Sequence, residues 1–150
     1  SNSSKQYLAT IRLGQSTHTD DAEGDLIYAL DASHLSADDI DREIAKLEGK
    51  ISQIPSSVSA IKVDGKRAYD LVREGKEVEL KSREVEVTRF ERTSDIRVLG
   101  EVVDFEIVVD CSTGTYIRAL ARDLGNALGV GGHLTMLRRT KIDNFMSLTP

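Results

Sequence analysis

The segment of the chain that could carry chemistry runs from Cys111 to Arg118 and joins a predicted strand to a predicted helix. Upstream of it, apolar residues alternate with mostly polar ones, a period-2 pattern that is typical of a strand with one buried face. Downstream, apolar residues recur at helical spacing until Gly129, a residue that favours the end of a helix. Between the two elements, Gly114 permits a sharp turn and Thr115 is the predicted N-cap.

Arg118 is the residue of this segment that conflicts with local preference. It falls in the first turn of the predicted helix, where the positive end of the helix dipole disfavours a cation. Conflicts of this kind are more common at functional sites than elsewhere. Two explanations are open. Arg118 either faces an anion such as a carboxylate or a phosphate, or it is a solvated arginine paired with Asp123 or Asp110.

Length and composition describe one globular domain. The 150 residues suffice for a single core, and neither a membrane span nor a signal peptide is visible. A single cysteine, Cys111, excludes an internal disulfide and suits a reducing compartment, which predicts a cytoplasmic location. The three histidines, His18, His34 and His133, lie far from it in sequence and lack ligand spacing. We therefore expect no metal.

The first residues differ from the remainder of the chain. Residues 1–4 lack an initiator Met and resemble a cloning remnant, and strand-like sequence starts directly after them. This predicts that the chain is a piece of a longer protein. A sheet interrupted in this way would leave an exposed edge that could pair with a second copy of the chain.

Charge is distributed unevenly along the sequence. The net charge is −5, but residues 18–48 hold ten acidic and two basic residues, a net of −8, which leaves +3 on the rest. Basic residues gather in 62–83 and 118–141. Such asymmetry is compatible with one RNA-facing side and an acidic far side.

The residue pattern of the N-terminal part of the chain predicts two strands and a helix. Alternation indicates a strand over 5–13, a polar loop follows over 14–25, and a short strand is expected over 26–30. Ser36 and Asp39 have the spacing of a capping box, which predicts a helix from this point to Gly49.

Asp20 and Asp21 lie in the polar loop. A pair of carboxylates could indicate acid–base chemistry or a metal-dependent hydrolase, but no calcium-binding loop spacing follows. The pair is therefore interpreted as part of a solvated loop.

Residues 50–83 have the least regular pattern. Lysines and arginines are frequent there, Pro55 favours extended chain, and a short helix is expected over 66–74. RNA contact and simple solvation are both open for this stretch. Further strands are expected over 84–92 and 142–145. Together the elements predict an α+β domain with a mixed, mostly antiparallel sheet and packed helices.

Four stretches of the chain form an ordered set. They are Lys5-Gln6-Tyr7 leading into Ile11-Arg12-Leu13-Gly14, then Ile54-Pro55 with Ser59-Ala60-Ile61-Lys62, Gly65 and Tyr69, then Gly114-Thr115-Tyr116-Ile117-Arg118, and finally Leu137-Arg138-Arg139. Each stretch alone is a weak signal, but together they span residues 5–142. As an ordered set they resemble the catalytic domain of the TruB type of pseudouridine synthase.

The resemblance implies an activity and a set of roles. Enzymes of this type convert the T-loop uridine of tRNA to pseudouridine without a cofactor, after flipping that nucleotide into a pocket. Tyr7 matches the tyrosine that stacks on the flipped uracil and takes a proton from its C5 atom. Arg118 matches the arginine that pairs with the catalytic aspartate. Tyr116 and Leu137 match pocket residues.

The resemblance also assigns a role to the basic stretch. Residues 50–83 match an insertion that closes over the T-arm of tRNA, and Lys62 is the expected phosphate contact within it. No membrane partner is expected.

One departure from the family pattern limits these expectations. The family's nucleophile lies in a Gly-Thr-Leu-Asp-Pro motif upstream of the first strand, and this sequence contains no such motif. Residues 5–150 are therefore expected to be a partial catalytic domain that is inactive alone. A non-catalytic RNA-binding or scaffolding module of the same fold is the alternative.

Overall fold

The computed structural model describes residues 4–56, the backbone of 62–63 and 66–67, and residues 81–140. Within these ranges the chain forms ten strands and two helices. They are β1 (Ser4–Leu13), β2 (Gln15–Thr17), β3 (Leu26–Ala29), α1 (Ala37–Ala45), β4 (Gly49–Gln53), β5 (Lys62–Val63), β6 (Lys66–Arg67), β7 (Arg83–Arg92), β8 (Arg97–Leu99), β9 (Val102–Ser112), α2 (Ile117–Ala127) and β10 (Gly132–Arg139). Across the described ranges, neither helix has the length and apolar character that crossing a membrane requires.

One sheet forms the centre of the molecule. Its strands follow the order β10-β1-β9-β7-β4, and β8 extends the sheet beside β9. All the strand pairs that the structure describes are antiparallel, and a single parallel bridge joins Asp21 to Leu134. Two short hairpins, β2–β3 and β5–β6, stand apart from this sheet. The predicted α+β fold with a mostly antiparallel sheet is confirmed.

The core lies between one face of the sheet and the two helices. Alternate residues of β1 and β9 point to that face, as their period-2 patterns predict. Helix α2 packs its own apolar stripe on them, and each such side chain contributes roughly 1.5–3 kcal/mol when it leaves water. The fully buried members include Ala9, Ile11, Leu13, Val103, Phe105, Ile107, Val109, Leu120 and Leu124.

Helix α1 begins with the predicted capping box. The Ser36 hydroxyl accepts a hydrogen bond from the Asp39 N–H at 3.1 Å, and the Asp39 carboxylate accepts one from the Ser36 N–H at 3.0 Å. The helix ends earlier than predicted, with Lys46 as its C-cap. Gly49 instead opens β4 with a φ of +98°, a backbone angle that glycine adopts without strain.

Three expectations about strands and loops were wrong. Strand β2 lies within the stretch predicted to be a polar loop, and β4 lies within the stretch predicted to be irregular. Lys66 and Arg67 form a strand where a helix was expected to begin. Short polar strands carry little local signal, because their pairing depends on a partner strand supplied by the fold. The rest of that expected helix and the expected strand at 142–145 lie outside the described residues.

Candidate functional site

The first turn of α2 and neighbouring ends of β1 and β10 enclose a cleft of about 210 Å³. Pockets for drug-sized ligands run to roughly 300–1,000 Å³, so this cleft has the scale of a single nucleobase or a similar planar group. Its lining residues are Tyr7, Ser56, Thr115, Tyr116, Ile117, Arg118, Ala119 and Leu137.

Strand register explains why distant residues meet in this cleft. Tyr7 on β1 is paired with Arg139 of β10, and Ala9 with Leu137, so Leu137 lies diagonally across from Tyr7 on the same face. On its other side, β1 pairs with β9. The chain leaves β9 and turns directly into α2, which brings Arg118 to the same end of the sheet.

Arg118 pairs with an aspartate that the sequence did not suggest. Its Nε donates to Asp21 Oδ2 at 2.6 Å, and the side chains of Arg118 and Asp21 are 43% and 17% exposed. The expected alternative partners are engaged elsewhere: Asp123 accepts from Arg122, and Asp110 accepts from Gln6. Of the two explanations that the sequence left open, the structure thus shows an anion beside Arg118, a carboxylate of the β2–β3 loop.

Asp21 is held in place by its own loop. Its carboxylate accepts hydrogen bonds from the Thr19 hydroxyl and the Glu23 N–H, and its carbonyl accepts from the Thr17 hydroxyl. Burial pushes the pKa of Asp21 upward, but the hydrogen bonds from Thr19, Arg118 and Glu23 outweigh it. The pKa lies below the ordinary value for aspartate, so Asp21 is ionised at neutral pH and pairs with Arg118 as a full charge.

The interpretation of Asp20 and Asp21 as a solvated loop was wrong. Asp20 is only 4% exposed, and Arg122 donates to its carboxylate at 3.1 Å. Sequence reasoning missed both residues because their partners lie 97 and 102 positions away in the chain. A pair of adjacent aspartates followed by an acidic, glycine-containing turn was the available signal.

The start of α2 is fixed by a buried glutamine. The N-cap is Tyr116 rather than the predicted Thr115, and its side chain makes no capping hydrogen bond. Instead, Gln53 of β4 accepts from the Tyr116 N–H at 2.9 Å and donates to the Tyr116 carbonyl at 3.0 Å. Gln53 is fully buried, and Arg83 lies over the Tyr116 ring with its guanidinium carbon 5.9 Å from the ring centre. Nothing in the local sequence singled out Gln53.

Four of the predicted site residues, Tyr7, Tyr116, Arg118 and Leu137, line the same cleft. Lys62 lies in the two-residue strand β5, and its side chain is outside the described part of the structure. Among the residues that the structure describes, no carboxylate lines the cleft, and the two terminal nitrogens of Arg118 donate to no other residue. The described lining of the cleft therefore offers aromatic and apolar walls and a guanidinium, and no acidic side chain belongs to that lining.

Family comparison identifies the chain. A family model described as TruB family pseudouridylate synthase (N terminal domain) matches residues 1–117. The chain belongs to the TruB family. A second model, the tRNA pseudouridylate synthase B C-terminal domain, matches residues 118–149. The boundary between the two TruB models falls within α2, and the elements on either side of it share one sheet and one core.

Relatives in the TruB family cover most of the chain. It is 62% identical over 141 residues to tRNA pseudouridine synthase B of Mycobacterium avium (strain 104), which is 94% of this chain and 45% of that protein. It is 57% identical over 146 residues to the protein of the same name from Mycobacterium leprae (strain TN), covering 95% of this chain and 46% of the relative. The chain thus spans about half the length of the curated relatives it matches.

Solved structures show the same fold. A chain of a Cbf5-Nop10-Gar1 complex matches with a TM-score of 0.57 and 28% identity, covering 93% of this chain and 30% of that one. A chain of an H/ACA RNP bound to a substrate RNA containing 2'-deoxyuridine matches with a TM-score of 0.55 and 24% identity, covering 93% and 28%. The second likeness concerns the fold alone.

Proposed function

We propose that this chain is part of an enzyme that isomerises uridine to pseudouridine in the T loop of tRNA. The observation that carries the proposal is the convergence of Tyr7, Tyr116, Leu137 and Arg118 on one base-sized cleft in a chain of the TruB family. The names of the relatives, tRNA pseudouridine synthase B, support tRNA as the substrate class.

The geometry of the cleft supports a separate role for each of its functional side chains. A flipped uracil would lie between the Tyr7 ring and the Leu137 side chain, which stand on adjacent strands. The unused donors of Arg118 would hold the carboxylate of a catalytic aspartate supplied by a segment outside this chain. Asp21 would fix the orientation of Arg118 from the opposite side.

Uridine and pseudouridine are isomers, so the reaction adds no atoms to the nucleotide and removes none. The aspartate carboxylate bonds to the sugar carbon C1′ as the glycosidic bond to N1 breaks, and the uracil anion then turns. Its C5 atom displaces the carboxylate from C1′, so that the C–C bond forms and the aspartate is regenerated. A base takes the proton from C5, for which Tyr7 is the candidate, and N1 gains a proton, so that no net proton is released.

A second function is favoured by one observation. Because the described lining of the cleft contains no carboxylate, the chain could act as a non-catalytic RNA-binding or scaffolding module of the same fold. The cleft would then bind a flipped base without altering it.

The two functions are separated by a tritium-release assay. T-arm RNA carrying tritium at uridine C5 is incubated with the 150-residue chain and with the full-length protein that contains it. We expect the full-length protein to release tritium and the chain alone to release none. Release by the chain alone would show that it holds its own nucleophile. No release by the full-length protein would favour the binding module.

Replacing Lys62 and Lys66 together by Ala should weaken binding of T-arm RNA by the full-length protein. Two lost phosphate contacts should reduce the slope of log K against log salt concentration by roughly 1.4–1.8. Fluorescence anisotropy at several salt concentrations measures this slope. The matched control is Arg42→Ala with Lys46→Ala, which removes two cations from the acidic region on α1. An unchanged slope in the Lys62 and Lys66 variant would remove the RNA role from this hairpin.

A further inference from the structure

A second ion pair lies directly beside the pair formed by Arg118 and Asp21. Arg122 follows Arg118 by one turn on the same face of α2. Its Nη1 donates to Asp20 at 3.1 Å, its Nη2 to the Ile54 carbonyl at 2.6 Å, and its Nε to Asp123 at 3.0 Å. Successive aspartates of one loop therefore bind successive arginines of one helix face.

The backbone of Asp20 adopts an uncommon, left-handed conformation. With a φ of +62°, Asp20 is the one non-glycine residue in the left-handed region among those that the structure describes. Aspartate tolerates this region better than most residues, but the conformation is uncommon. The Asp20 carbonyl accepts from the Leu134 N–H at 3.0 Å, and the Asp20 N–H donates to the Thr17 carbonyl at 3.3 Å. The loop is thus bent and anchored immediately before Asp21.

The Asp20 carboxyl lies where its charge is poorly solvated. Burial raises the pKa of Asp20 from 3.8 to about 6, because the attraction of Arg122 does not offset the loss of water. The folded state therefore binds this proton more tightly than the unfolded state. Stability due to this carboxyl falls as the pH rises from about 4 to about 6. Because a buried ion pair often adds little net stability, a role in positioning is the alternative explanation for this one.

We propose that the Asp20–Arg122 ion pair positions the site: it fixes the β2–β3 loop against α2 so that Asp21 meets Arg118. Through the Ile54 carbonyl, the same guanidinium also anchors the segment that carries Ser56 into the wall of the cleft. Neither Asp20 nor Arg122 lines that cleft, so both are positioning residues. The inference rests on the proposed function for its kinetic consequence, whereas its structural consequence can be measured independently.

The kinetic test uses Asp20→Asn in the full-length protein. Asparagine keeps the size of the side chain and tolerates the left-handed backbone. We expect the single-turnover rate of pseudouridine formation to fall by about 10- to 100-fold, because a small misplacement of catalytic groups has effects of this size. RNA affinity should stay within about twofold, and the thermal midpoint should fall no further than in the Asp104→Asn control, because each substitution leaves one arginine without its carboxylate partner. Loss of folding, or a rate that falls only with the folded fraction, would overturn the proposal.

The pH profile supplies a readout that a merely structural role would not change. The groups facing Asp20 are His18 and Asp21 from its own loop and Arg122 and Asp123 from α2, while the Ile54 segment and β10 contribute backbone atoms. In the wild-type protein the rate should decline as the pH falls through about 6, when Asp20 becomes protonated and the ion pair is lost. In Asp20→Asn this decline should be absent, with a uniformly low rate. Persistence of the same decline in the variant contradicts the assignment.

The structural test needs no activity. In the 150-residue chain, the Arg118 Nε–H is bonded to Asp21, so its exchange with solvent can be followed by ¹H–¹⁵N NMR. Asp20→Asn should accelerate that exchange by about tenfold or more, because the loop that carries Asp21 is released. Unchanged exchange would overturn the proposal even if the enzyme assay failed. An inactive wild-type full-length protein would instead contradict only the proposed function.

Asp104→Asn is the matched control. Asp104 is 6% exposed and accepts two hydrogen bonds from Arg12, each of 2.8 Å, at the end of β1 away from Tyr7. This variant removes a comparable ion pair, so the thermal midpoint should fall. The rate and the Arg118 exchange should both remain within about twofold of wild type, because distant sites act independently. Equal effects of the two variants would mean that any lost ion pair disturbs the cleft.

Discussion

In the full-length protein, Arg118→Ala should lower the single-turnover rate of pseudouridine formation by about 1,000-fold, the upper end of the 100- to 1,000-fold effect of losing one preorganised electrostatic contact. Binding of T-arm RNA should change by less than about threefold, since the guanidinium serves a carboxylate pair rather than the phosphate backbone. Rapid-quench tritium release measures the rate, and fluorescence anisotropy measures the affinity.

Arg92→Ala is the control for this prediction. Arg92 makes a two-point ion pair with Asp41, with both contacts at 2.9 Å, on the side of the molecule where β7 meets α1. Its loss should leave the rate within about twofold of wild type, because the pair is remote from the cleft. Equal losses of rate and affinity in Arg118→Ala would instead identify Arg118 as a phosphate contact and remove it from the chemistry.

Asp21→Asn should lower the same rate by about 100-fold while leaving RNA affinity within about threefold. The substitution keeps an acceptor oxygen but removes the charge that orients Arg118 across their 2.6 Å contact. Because the pKa of Asp21 lies below its ordinary value, its charge stabilises the fold above the unfolded pKa of 3.8, and that contribution is lost as the pH falls through the folded value. At neutral pH the variant should therefore also lose some stability.

Asp25→Asn tests whether the effect belongs to the loop in general. Asp25 ends the same loop, and its side chain is exposed. Removing its charge should leave rate, affinity and thermal midpoint close to wild type, because isolated surface charges contribute little. If Asp25→Asn slowed the reaction as much as Asp21→Asn, the loop's overall charge rather than its contact with Arg118 would be responsible.

Locally encoded features of this fold could be predicted from the sequence. The alternation in β1 and β9, the capping box at Ser36, and the apolar stripe of α2 each follow from neighbours within a few positions. Gly129, with a φ of +79°, follows the end of α2 as expected. These elements fix the antiparallel sheet and the helix that carries Arg118.

Features that depend on distant partners could not be predicted in the same way. β4 is short and largely polar, and its place is determined by pairing with β7. The clamp of Gln53 on Tyr116 joins residues 63 positions apart, and the contact of Arg118 with Asp21 joins residues 97 apart. Neither the hydrophobic periodicity of a sequence nor its secondary-structure propensity predicts such long-range contacts.

The remaining cleft residues depended on the family resemblance. Tyr7 is a strand tyrosine and Leu137 a partly buried leucine, and residues of both types usually serve packing alone. Only the ordered motifs directed attention to them. The dipole argument for Arg118 was independent of the resemblance. It left two explanations open, an anion facing Arg118 or a solvated arginine paired with Asp123 or Asp110, and in the structure Arg118 pairs with Asp21.

The boundary between the two family models has a practical consequence for protein engineering. The two family models meet within α2. Strands β1 and β10 lie on opposite sides of that boundary, yet they pair with each other over seven residue pairs. A chimaera joined at that point would combine Arg118 and β10 from one parent with the other strands of the sheet from another parent. The transplantable module is therefore the whole sheet with both helices, and recombination junctions belong outside it.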